Sequence, residues 1–155
     1  MNPHPEVPRE IQAPADAELV FQAHASGFQI YVCREGADGT FAWTLKAPEA
    51  ALYDQEGTAI GRHYAGPTWK HNDGSEVTAR AVARVDSPDA DAIPWLLLSV
   101  TSHSGNGVLS RVTSIQRIQT AGGQPPPAAG CSASNREVEA RSKYESEYYF
   151  YAAAQ

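Results

Sequence analysis

Reactive side chains crowd into one stretch, Gly61-Arg62-His63-Tyr64-Ala65-Gly66-Pro67-Thr68-Trp69-Lys70-His71-Asn72-Asp73-Gly74-Ser75. Two histidines, a tryptophan, a tyrosine and an aspartate lie around a Gly-Pro break and an Asp-Gly turn. Gly61, Gly66 and Pro67 suit a bent or bulged strand, a common way to aim a side chain such as His63. The His63 imidazole is either an acid–base or ligand-binding group, or one whose nitrogens are satisfied by buried hydrogen bonds. Trp69, between Thr68 and Lys70, is the tryptophan expected to expose a face for stacking on a flat ligand or sugar. With the carboxylates of Glu49 and Asp73, these two residues make the candidate ligand-binding set: His63, Trp69, Glu49 and Asp73.

Specific reactions find less support. A metal site needs three or four convergent ligands. The five histidines, His4, His24, His63, His71 and His103, show neither HxH nor HxxxH spacing. If a transition metal is held at all, His63, His24 and His103 are the candidates, converging from three strands; otherwise no cofactor is expected. Ser75, His63 and Asp73 are close in sequence, but no Gly-x-Ser-x-Gly elbow accompanies them, and Asp73-Gly74-Ser75 reads more simply as a turn. Glu49 with Asp73 would be the carboxylate pair for glycoside hydrolysis, with nothing to set their separation. Arg111 and Arg117 share a strand face with Thr113; they could pair with Glu or Asp or bind an acidic ligand, but read more simply as a solvated face.

The elements that must position these groups are strands. The 155 residues suffice for one domain with a real core. The net charge of -6, with no basic run longer than two, argues against a nucleic-acid or basic membrane-surface partner. No apolar stretch approaches the ~20 residues of a membrane-spanning helix. The opening residues, up to about 16, are Pro-rich and read as an extended arm, with a single domain over 17–155. They contain no apolar leader, which suits a cytosolic protein or the mature form of an exported one.

Leu19–Ala25 and Phe28–Cys33 read as a hairpin across Ser26-Gly27. Phe41, Trp43 and Leu45 alternate as a core face, and Ala47–Tyr53 is either extended or one helical turn started by Pro48. Val77–Val85 is a strand with a small-residue inner face. Trp95–His103 and Val108–Thr120 are two strands across Asn106-Gly107, a strong hairpin signal. A breaker-rich loop follows, then a short helix over Asn135–Lys143. The final strand, Tyr144–Tyr151, carries Tyr144, Ser146, Tyr148 and Phe150 on one face. About seven to nine strands with little helix predict an all-β sandwich or barrel. Cys33 and Cys131 are either two free thiols or a disulfide closing a loop of about 100 residues, worth roughly 4–5 kcal/mol in the chain-entropy picture; a disulfide would imply an extracytoplasmic location.

Several phrases resemble one family. They include Ala25-Ser26-Gly27-Phe28-Gln29-Ile30-Tyr31, Gly61 to Trp69, Ile93-Pro94-Trp95-Leu96-Leu97-Leu98, Thr120-Ala121-Gly122-Gly123, Cys131 and Tyr148-Tyr149-Phe150. From about Ala17 to Tyr151 the chain resembles the domain-of-unknown-function family numbered 3455, found in bacteria and fungi and usually exported. The resemblance implies a secreted or periplasmic protein, which supports the disulfide, and it supplies no catalytic residues. The function expected is binding of a small molecule or glycan near His63, Trp69, Glu49 and Asp73. The alternatives are a metal-dependent hydrolase or oxidase, and a surface or assembly protein using its aromatic last strand as an edge.

Overall fold

The computed structural model describes residues 4–154. Met1–Pro3 of the expected arm, and Gln155 at the end of the expected domain, lie outside the described residues. Eight antiparallel strands follow one another in space as they do in sequence and close into a barrel. They are β1 (Glu18–Glu35), β2 (Phe41–Tyr53), β3 (Ala59–Tyr64), β4 (Thr68–His71), β5 (Glu76–Val85), β6 (Trp95–Ser104), β7 (Val112–Gly122) and β8 (Glu139–Ala152). Only single 3-10 turns interrupt them. No helix of the described residues is long and apolar enough to cross a membrane.

The interior follows from period-two alternation. On β8, Tyr144, Ser146, Tyr148 and Phe150 all point inward and are buried. Alanines 23, 25 and 50 stand among these rings, with Trp69, Leu52, Leu98 and Ile115 completing the core. Large rings from one wall thus fill the space that small residues leave on another, which is how a barrel of this size packs. Closure pairs β8 with β1 along nearly the whole length of both, from Glu18↔Ala152 to Val32↔Glu139. Cys33 bonds to Cys131 with Cα atoms 5.4 Å apart, tying the end of β1 to the long loop before β8.

Several local expectations are corrected. β1 is continuous through Ser26-Gly27; a Cβ at Gly27 would sit 2.2 Å from the Glu49 carbonyl, so this glycine serves a close approach to β2, not a turn. Ala47–Tyr53 is extended within β2, and Leu45 is exposed. Asn106-Gly107 falls inside a longer connection between β6 and β7. The helix expected over Asn135–Lys143 is one 3-10 turn, Ala133–Asn135, followed by the start of β8, because pairing with β1 claims those residues.

The N-terminal segment is docked. Its 3-10 turn Arg9–Ile11 packs against β5 and β6, with Ile11 wholly buried. Gln116 Nε2 donates to the Ile11 carbonyl at 2.9 Å, and Tyr151 Oη donates to Gln116 Oε1 at 2.6 Å. Ala13 and Ala17 cover Tyr151. β7 is buried on both faces, with Ile115 inside and Ser114, Gln116 and Ile118 on the other side, where Gln116 meets the segment.

Candidate functional site

The barrel wall is low on one side. β3 and β4 have only 6 and 4 residues. The β2–β3 ladder stops at Ala50↔His63, and the β4–β5 ladder at Thr68↔Thr78. Leu45–Pro48 of β2 and Ala79–Ala81 of β5 therefore stand above the β3–β4 hairpin with no strand between them. Ala65–Pro67, with a cis Gly66–Pro67 peptide, forms the sill of the opening. Behind it lies a cavity of about 450 Å³ that reaches Trp69 and Tyr148.

His63 and Trp69 are a cross-strand pair on the inner face, their rings stacked at 4.2 Å. Tyr148 meets both edge-on, at 5.2 and 5.5 Å. The Thr68 carbonyl, 2.8 Å from His63 Nδ1, can only accept, so Nδ1 carries the proton. Nε2 then holds a free lone pair, and no hydrogen bond from the described residues reaches it. Burial pushes the imidazole down to about 3, against the Thr68 bond and with help from the charge of Arg117. His63 is neutral at ordinary pH.

Two further polar atoms of the lining have no partner among the described residues: Trp69 Nε1 and Gln29 Oε1. Arg117 completes the wall from β7, paired with Tyr148 of β8. Its Nε and Nη2 donate to the Pro94 carbonyl at 3.1 and 2.8 Å. Tyr148 Oη lies 3.2 Å from Tyr144 Oη, and burial pushes both phenols up.

Of the four ligand-binding candidates, the structure brings His63 and Trp69 together and places the others elsewhere. Trp69 is buried in the barrel, not displayed on its surface. Glu49 lies outside the barrel, 2.7 Å from Arg141 Nη2; that hydrogen bond and charge hold its carboxyl below the usual range. Asp73 accepts hydrogen bonds from Ser75 N, Ser75 Oγ and Val108 N. Desolvation opposes its ionisation, but these donors prevail and pull it down to about 2.

The three metal candidates do not converge. His63 binds Thr68, His103 Nε2 binds the Val112 carbonyl at 2.7 Å, and His24 lies between Glu147 and Glu145. Partial burial disfavours the charged His24 ring, but the two glutamates outweigh it and raise its pKa. Among the described residues, no three His, Cys, Asp or Glu side chains are grouped to hold a metal ion. Nor does Ser75 approach His63: its Oγ donates to Asp73 and accepts from Leu109 N.

Sequence reasoning missed Gln29 and Tyr148 as site residues and favoured a solvated face for Arg117. A register shift between Val112 and Ser114 separates Arg117 from Arg111 and Thr113, both exposed, and sets it on the inner face with Ile115. The same-parity neighbour Ile115 was the available signal.

A family model described as "Protein of unknown function (DUF3455)" matches residues 14–152. The chain belongs to this family. No curated protein and no solved structure is significantly similar to it. The DUF3455 description names no activity, so the chemistry of this DUF3455 barrel is read from its cavity alone.

Proposed function

We propose that the protein binds a small, largely apolar molecule inside the barrel, admitted over the β3–β4 sill. One observation carries the reading: a 450 Å³ cavity, mostly apolar, into which a few polar groups converge from different strands. That size and make-up are those of small-molecule sites, and an eight-stranded barrel is wide enough for one such ligand. Buried polar atoms without partners are costly in a finished core and call for an explanation; a ligand that pairs with them supplies one. A glycan is less well served, because Trp69 offers no exposed platform. The assembly reading loses its edge, since β8 is paired on both sides. The disulfide supports function outside the cytoplasm.

The test is a thermal-shift and tryptophan-fluorescence screen of small apolar molecules, repeated on Ala81→Trp, which fills the exposed rim of the opening. Hits should raise the melting temperature of the natural protein and fail with the variant. A screen with no hits, or hits that bind the variant equally, would sink the reading.

A further inference from the structure

The cavity has a charge that its surroundings do not explain. The protein is acidic overall, with a net charge of -6. Yet the cavity lining contains Arg117, Lys46 and Arg80 and no aspartate or glutamate. Lys46 and Arg80 are exposed at the rim. Lys46 also contacts Glu139 on the outer surface. Arg117 is different: it is half-buried, on the same inner face as Ile115 and beside Tyr148.

A guanidinium stays protonated at any physiological pH, so Arg117 cannot escape its environment by neutralising. A cation withdrawn from water needs a counter-charge or a full set of acceptors. Among the described residues it forms no ion pair; its Nε and Nη2 donate to the Pro94 carbonyl, and beyond that it has only the neutral Tyr148 hydroxyl to interact with. A guanidinium has five N–H donors, so donors remain for a further partner. His63, neutral and stacked on Trp69, adds an acceptor and no charge. Leu45, Leu96 and Leu98 give the rest of the space an apolar character.

We infer that the ligand is an amphipathic anion: a single negatively charged head on Arg117, with an alkyl or aryl body along the leucines. The assignment rests on the cavity being a binding site and narrows what it takes. At the rim Arg80, which forms no ion pair among the described residues, draws the anion toward the opening, whereas the charge of Lys46 is met by Glu139. Inside, the head supplies the counter-charge that the fold omits, through a charge-assisted hydrogen bond of the strong kind.

The experiment is calorimetric titration of the full chain at neutral pH with four ten-carbon probes: decanoate, decyl sulfate, decanol and decylamine. The expected result is that at least one anion binds about ten-fold or more tighter than decanol, as a hydrogen bond to a charged group warrants, with decylamine weakest. The stronger of the two anions names the head group. In Arg117→Gln the anion should fall to the level of decanol, with decanol itself unchanged. Should that variant not fold, Arg117→Lys must keep the preference for the anion, and Arg80→Gln at the exposed rim must reduce it about two- to three-fold and steepen no salt dependence. Decanol equal to both anions, or a preference surviving in Arg117→Gln, overturns the anion assignment and leaves the cavity reading standing. No binding by any of the four probes removes both.

Discussion

At one end of the segment Gly61–Ser75, His63 and Trp69 face the cavity with hydrogen-bonding capacity unused. At the other end, Asp73 and Ser75 direct theirs to the backbone of the β4–β5 turn and of the β6–β7 connection. Gly107 packs so closely on Asp73 that a Cβ would lie 2.3 Å from the carboxylate. Both ends carry a histidine and hydroxyl groups, with the aromatic rings at the first and the carboxylate at the second, yet only the first is open. What separates them is satisfaction: a saturated polar cluster is a clamp of the fold, and an unsaturated one is receptive.

Acid should separate the two ends most strongly. His63 titrates near 6.5 when unfolded and near 3 when folded, so the unfolded chain binds the extra proton between those values. Stability is then full above about pH 6.5 and declines toward pH 3, by up to roughly 1.4 kcal/mol per pH unit. Asp73 shifts from 3.8 to about 2, so its contribution persists above pH 3.8 and is lost only as pH falls through 2. Urea unfolding across pH 7 to 4 should therefore show a slope that His63→Phe flattens and Asp73→Asn leaves intact. If His63→Phe keeps the slope, the ring is not neutral and buried in solution.

Next in size is Asp73→Ala near neutral pH. It leaves Val108 N–H and the Ser75 donors without their acceptor and loosens the contact between two loops. The expected cost is roughly 1–3 kcal/mol, read as a lower denaturation midpoint, with ligand binding in the barrel unchanged. A binding loss that exceeds the loss of folded protein would return Asp73 to the site.

The parts of the molecule governed by alternation were legible beforehand. Tyr144, Ser146, Tyr148 and Phe150 share the inner face of the last strand, as a period of two requires. Cys33 and Cys131 are joined. What could not be read depends on contacts across the chain. Arg117 looked solvated because a bulge near Thr113 changes which residues share its face. Gly27 looked like a turn because a glycine that permits close strand approach and one that permits a reversal have the same letter. The docking of the N-terminal arm was not legible because its polar, Pro-rich composition hides one anchor, Ile11, which packs against strands far along the chain. Trp69 looked exposed beside Lys70, but strand pairing with His63 turns it inward.

The smallest expected effect is the one with the opposite sign. Gln29 is 2% exposed, and its Oε1 has no partner among the described residues. A methionine has nearly the same length and flexibility and no polar atom that must be solvated. Gln29→Met should therefore raise the melting temperature of the unliganded protein, equivalent to about 1 kcal/mol, where Asp73→Ala lowers it. The gain should come with weaker ligand binding, since residues kept for a site are commonly not those best for stability. Both changes are measured on one sample by thermal unfolding with and without a saturating screen hit. If Gln29→Met is less stable than the natural chain, Oε1 is well satisfied in water-filled surroundings, and the contrast between a saturated clamp and an unsaturated cavity no longer holds.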